Sequence, residues 1–202
     1  LFRFVFACVV LTAFLIAFAI AVSVLDKGEE AWSLKNYDDI IWPVVMQDPQ
    51  PFDETRPPDK ETMLKASLWE LAMERKNISD VWNEEQKLVL PKNDVESVGA
   101  KLFGKEQDFG GLDRNNSDFY KFDNSKNTFL VEPVSGTDGF LPHTINACHE
   151  GDDVILKVGY VSPQNQFNNK MNSTFENKIE KYAKYRLKKN VNTGNFYVLS
   201  VS

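Results

Sequence analysis

Cysteine is close to absent from this chain: Cys8 and Cys148 are its only two in 202 residues. Cys8 lies in an uncharged N-terminal stretch and Cys148 stands alone in the polar remainder, so no disulfide can staple that remainder to itself. Histidine is as sparse, with only His143 and His149. No glycine-rich phosphate loop, zinc-type cysteine set or nucleophile-elbow serine occurs, so no motif assigns a cofactor, a metal or a catalytic residue. An excess of basic charge is missing too. Lys and Arg number 23 against 29 Asp and Glu, a net charge of −6. A nucleic-acid binder carries the opposite balance, because it must neutralise phosphates, and that partner class is excluded.

What the chain does have, first of all, is a long apolar run. From Phe4 to Leu25 no charged side chain appears, and Asp26, Lys27, Glu29 and Glu30 follow at once. At a rise of 1.5 Å per residue that run reaches about 33 Å, enough to cross a hydrocarbon core of roughly 30 Å. Residues 1–25 are therefore expected to be a transmembrane anchor. Ala19-Ile20-Ala21 also fits the small-x-small pattern of a signal-peptidase site, but the apolar stretch ahead of it exceeds the roughly 7–15 residues of a signal peptide. Arg3 precedes the span and acidic residues follow it. Since Lys and Arg favour the cytoplasmic side, the N-terminus is expected inside and the rest outside. With Arg3 set aside, that outer part holds 22 of the 23 basic residues and all 29 acidic ones, net −7.

Residues 26–57 read as a juxtamembrane connector and 58–202 as one extracytoplasmic α+β domain. Within the connector, Ile40, Ile41, Trp42, Val44, Val45 and Met46 form an apolar patch interrupted by Pro43. Two readings fit it: a short helix packed on the domain, or a segment that docks on another membrane protein. Trp32 and Trp42 suit either a membrane interface or a packed helix. Asp48-Pro-Gln-Pro-Phe-Asp53 and Arg56-Pro-Pro58 then prevent a continuous helix. Pro57-Pro58-Asp59 opens a first helix in which Leu64, Leu68, Leu71 and Ala72 share a face through about Lys76. Asn93-Asp94-Val95-Glu96 has the form of a capping box opening a second, lined by Val95, Val98, Leu102 and Phe103 and stopped by Gly104. Between them, Val81 to Leu90 fits neither pattern well.

From Phe119 the period changes to two. Phe119–Phe122 and Thr128–Glu132 flank one turn, and Thr144–His149 and Val154–Val161 flank another. After an Asn-rich loop from Pro163 to Asn177, Ile179, Lys181, Ala183, Tyr185 and Leu187 alternate with Glu180, Tyr182, Lys184, Arg186 and Lys188. Phe196–Val201 closes the series. Helices followed by an antiparallel meander with one apolar face make an α+β domain, with two to three helices packed across a C-terminal sheet. That order resembles the cone-shaped roll of nuclear transport factor 2 or cystatin.

Ile41-Trp-Pro-Val-Val-Met-Gln-Asp-Pro49, the segment from Leu90-Pro91 to Phe103-Gly104, Val158-Gly-Tyr-Val-Ser-Pro163 and Asn195-Phe-Tyr-Val-Leu-Ser200 resemble single-pass extracytoplasmic proteins of clostridial Gram-positive bacteria. The resemblance implies a bacterial cell-membrane location and the helices-then-sheet order, and it transfers no site residue. The lack of disulfides agrees with it. The three Asn-x-Ser/Thr sequons at Asn77, Asn115 and Asn172 are what chance gives in so Asn-rich a chain.

Candidate chemistry is thin. His143 and His149 sit six residues apart on one predicted strand, an even spacing that places them on one face but about 20 Å apart, too far to share a metal. Cys148 is expected to pack as a small apolar group. One charge pattern stands out, and it is basic: Lys184, Arg186 and Lys188 share a strand face with Tyr182, and such a row suits an anionic wall polymer or an acidic envelope protein. The same row also suits a solvated strand edge kept soluble by lysines. A non-catalytic binding or assembly module is therefore expected. The alternative is a carboxylate-dependent enzyme or small-ligand binder that uses the concavity of the roll.

Overall fold

The computed structural model describes residues 34–109, 117–133, 139–163 and 178–202. The expected span Phe4–Leu25, Trp32, Gly110-Gly111 and most of the Asn-rich loop lie outside these residues. Among the described residues no helix is long and apolar enough to cross a membrane.

Helix α1 is described over residues 34–45. Pro43 falls in its last turn, where the missing N–H removes one hydrogen bond without breaking the helix. Asp48 closes the end at φ 46, its N–H donating to the Val45 carbonyl at 3.0 Å. Ile41, Val44 and Val45 are fully buried, so the apolar patch is a helix packed into the domain. Trp42 rests on Trp69, ring centroids 4.9 Å apart. Beyond the prolines, Phe52 is buried and pairs with Val201 through two backbone hydrogen bonds of 2.9 Å. The stretch expected as a connector thus supplies core residues from Ile41 to Phe52.

Helix α2, Lys60–Arg75, starts where the prolines end. The Asp59 carboxylate accepts the Thr62 N–H at 2.8 Å, satisfying a donor that helix geometry leaves orphaned. Leu64, Leu68, Leu71 and Ala72 are buried, as the helical spacing requires. Helix α3, Lys92–Phe103, departs from expectation at its start: the N-cap is Pro91 and no side chain caps it. Strand β1, Leu88–Pro91, runs straight into the helix, so Pro91 at φ −60 makes the turn and Asn93 is already helical. At the other end Gly104, at φ 72, gives the expected left-handed stop. A Cβ there would meet the Tyr197 ring at 2.4 Å, so the glycine is also required by packing.

The strands form two antiparallel sheets, where one continuous meander was expected. Strands β2 (Tyr120–Asp123) and β3 (Thr128–Val131) make the predicted hairpin, with Asn127 in the turn at φ 53. Strand β1 pairs with the free edge of β3, Leu88 opposite Val131, giving the order β1-β3-β2. That pairing uses the edge that β4 would have needed. Strands β4 (Leu141–Glu150), β5 (Asp153–Val161), β6 (Ile179–Lys189) and β7 (Phe196–Val201) form the second sheet in sequence order. Its inner face carries Val154, Leu156, Val158 and Tyr160 from β5 and Tyr185 and Leu187 from β6, all buried, in one core shared with the three helices and the small sheet.

Candidate anion-binding face

Alternation along β6 has the sides that the sequence predicts. Tyr185 and Leu187 point into the core, while Tyr182, Lys184, Arg186 and Lys188 are exposed on the outer face. Lys181 belongs to the inner side. The regular register places it opposite Tyr160, and its ammonium lies 4.7 Å from that ring's centroid and 5.1 Å from that of Phe140 while pairing with the Asp48 carboxylate. Lys181 therefore ties the end of α1 to the sheet and is not part of the outer row.

The outer row itself is divided. Arg186 Nε donates to Asp153 Oδ2 at 2.7 Å, and Asp153, only 8% exposed, lies directly opposite Lys188. The guanidinium is thus already held by a carboxylate of the neighbouring strand. The other end of the row gains a cation that β6 alone does not contain: Lys157 of β5 is directly opposite Lys184. Its ammonium lies over the Tyr182 ring, 4.9 Å from the centroid, and Tyr182 is 55% exposed. Among the described residues no Asp or Glu side chain pairs with the ammonium of Lys157 or Lys184, while the Lys184 N–H donates to the Ser202 oxygen at 2.7 Å. The outward position of Lys157 was readable from the apolar alternation of β5, but its register against Lys184 was not.

Other candidate residues do not assemble. Strand β4 carries an extra residue, Ile145, between Thr144, opposite Val158, and Asn146, opposite Lys157. The bulge turns the even spacing of the histidines into opposite faces: His143 sits across from Gly159, and His149 across from the core residue Val154 at the exposed sheet end. No group of three potential metal ligands forms among the described residues. Cys148 is exposed and not packed as a small apolar group, because the bulge places it on the outer side, opposite Ile155, near the turn that joins β4 to β5.

Two carboxyls have their pKa raised, chiefly by burial. Asp38 of α1 accepts the Thr144 N–H at the bulge (2.7 Å), which offsets part of that rise. Glu70 lines a cleft of about 480 Å³ with Asp39 and Phe196, where Lys101 lies 3.5 Å from its carboxylate and opposes the rise. Both carboxyls therefore already have structural partners. Deeper in, the Tyr160 and Tyr185 hydroxyls meet at 2.5 Å on the inner face of the large sheet. Burial pushes the Tyr160 phenol up to about 12 and that of Tyr185 well above its ordinary value. The Tyr160 and Tyr185 hydroxyls thus satisfy each other on an inner face otherwise lined by apolar side chains.

Comparison with known proteins adds no assignment: no family model, curated protein or solved structure matches this chain.

Proposed function

We propose that this chain is a membrane-tethered, non-catalytic binding module of a bacterial cell surface. In this reading Phe4–Leu25 is the anchor, the N-terminus lies in the cytoplasm and the α+β domain lies outside. The clostridial resemblance and the likeness to a roll belong to the same reading. The observation that carries it is the outer face of β5 and β6, where Lys157 and Lys184 stand exposed beside Tyr182, with Lys188 further along the strand, in a chain of net charge −6. Such a face suits a linear anionic wall polymer, which can follow a row of cations along a strand over several residues. A filled inner sheet face favours binding from outside over chemistry in a concavity.

The test is co-sedimentation of the full chain, in detergent, with purified cell walls. Binding should fall at least tenfold between low salt and 1 M salt, where the screening length drops to about 3 Å. Lys184→Gln/Lys188→Gln should weaken it comparably at low salt without lowering the unfolding midpoint. Salt-independent binding, or equal binding by parent and variant, would remove the basis of the proposal.

A further inference from the structure

Lys157 and Lys184, both exposed and directly opposed, run against ordinary sheet design. Directly opposed residues on neighbouring strands hold their Cβ atoms about 4.5–5.5 Å apart, and like charges there are destabilising. The helical layer handles its cations differently. Lys65 meets Glu61 at 2.7 Å, Arg75 meets Asp94 at 2.7 Å, and Lys101 lies between Glu70 and Glu74 at 3.5 and 3.6 Å. Even on the outer sheet face Arg186 has Asp153. Among the described residues the two opposed ammonium groups have only the Tyr182 ring, and only on the Lys157 side.

The geometry points to a phosphate seat: Lys157 and Lys184 together take one phosphate group of a phosphodiester-linked polyol chain, and Tyr182 lies under the adjoining carbons. This rests on the proposed anion-binding role of the face and names the group recognised and its two ligands. The choice of phosphate follows from the donors. Two ammonium groups are separate point charges with freely rotating donors, and the diverging oxygens of a tetrahedral phosphate can accept from both. A planar carboxylate is matched best by the fork of an arginine, and the arginine of this row is already taken by Asp153. A polymer fits better than a small solute because the cations lie on the exposed outer sheet face, whereas small-molecule sites are concave. Two or three cations neutralise too few phosphates to retain a nucleic acid in physiological salt. The half-exposed phenol ring gives a polyol backbone an apolar surface beside the charge.

The full chain, ¹⁵N-labelled in a neutral detergent, is titrated with inorganic phosphate, acetate, a glycerol-phosphate oligomer and phosphatidylglycerol vesicles. Phosphate and the oligomer should shift the amide resonances of Lys157, Tyr182 and Lys184 saturably, with acetate at least tenfold weaker. Lys157→Gln/Lys184→Gln should lose at least tenfold in oligomer affinity and Lys188→Gln no more than about twofold. The unfolding midpoint, read alongside, verifies that each variant is folded. Acetate binding as tightly as phosphate would overturn the seat, and so would vesicles binding more tightly than the oligomer. Loss of oligomer binding in Lys188→Gln with the double variant unaffected would overturn the seat and leave the anion-binding face standing. No oligomer binding by the parent chain, together with no wall binding, would overturn both.

Discussion

The two faces of the four-stranded sheet are built by the same residues' neighbours and obey opposite rules. Inside, Leu156, Val158 and Leu187 exclude water and the Tyr160 and Tyr185 hydroxyls find each other. Outside, one cation is matched by Asp153 and two are set against each other. The inner face accounts for stability, since burying each such side chain contributes about 1.5–3 kcal/mol. The outer face buries little apolar surface, and on the proposed function its charges serve what approaches from solution. Substitutions on the two faces should therefore separate folding from binding.

The largest expected effect tests how far the inner face extends. Ile41, Val44, Val45 and Phe52 belong to the same core as the sheet, so residues 58–202 alone should fail to unfold cooperatively, whereas residues 34–202 should do so. A sharp urea transition for the shorter fragment would show that α1 is dispensable. Next in size is Leu187→Ala, which removes a fully buried side chain between sheet and helices. It should cost about 2–5 kcal/mol in denaturant unfolding. A cost below about 1 kcal/mol would mean the inner face is not packed as described.

Alkaline pH probes the same face through its tyrosines. Burial raises the Tyr160 phenol to about 12, above its unfolded value near 10. The folded state therefore holds this proton more tightly, and the stabilisation is complete below about pH 10 and lost as pH rises through about 12. Two units correspond to about 2–3 kcal/mol, and Tyr185 adds to the loss in the same direction. Stability measured from pH 9 to 12 should fall in the parent and fall less in Tyr160→Phe. An identical decline in both would place the titrating groups elsewhere. Gly104→Ala comes below these. Positive φ alone costs about 1 kcal/mol, and displacement of the Tyr197 ring adds to it. An unchanged midpoint would contradict that contact.

Much of the inner face could be read from the chain. The spacing of Leu64, Leu68 and Leu71, the left-handed stop at Gly104 and the alternation from Ile179 to Leu187 are local signals, and each gave its element within a few residues. What escaped is non-local. Strand β1 is only four residues long, and nothing nearby says that Leu88 will pair with Val131 and divide the strands into two sheets. The bulge at Ile145 changes which way both histidines face, yet no glycine or proline marks it. The outer site shows the same division. Period two placed Tyr182, Lys184, Arg186 and Lys188 together, whereas the loss of Arg186 to Asp153 and the arrival of Lys157 depend on the register of β5 against β6.

The smallest stability effect bears most on the central claim that the outer face is kept for a partner and not for the fold. Lys184→Gln should be measured at once for unfolding midpoint and for binding to purified cell walls at low salt. Relief of a like-charge pair is worth about 0.2–1 kcal/mol, so the midpoint should rise by about 1–3 °C, while wall binding falls severalfold. Opposite signs are the predicted result. A lower midpoint with wall binding unchanged would mean that Lys184 serves the fold alone, and the account of the outer face would be contradicted.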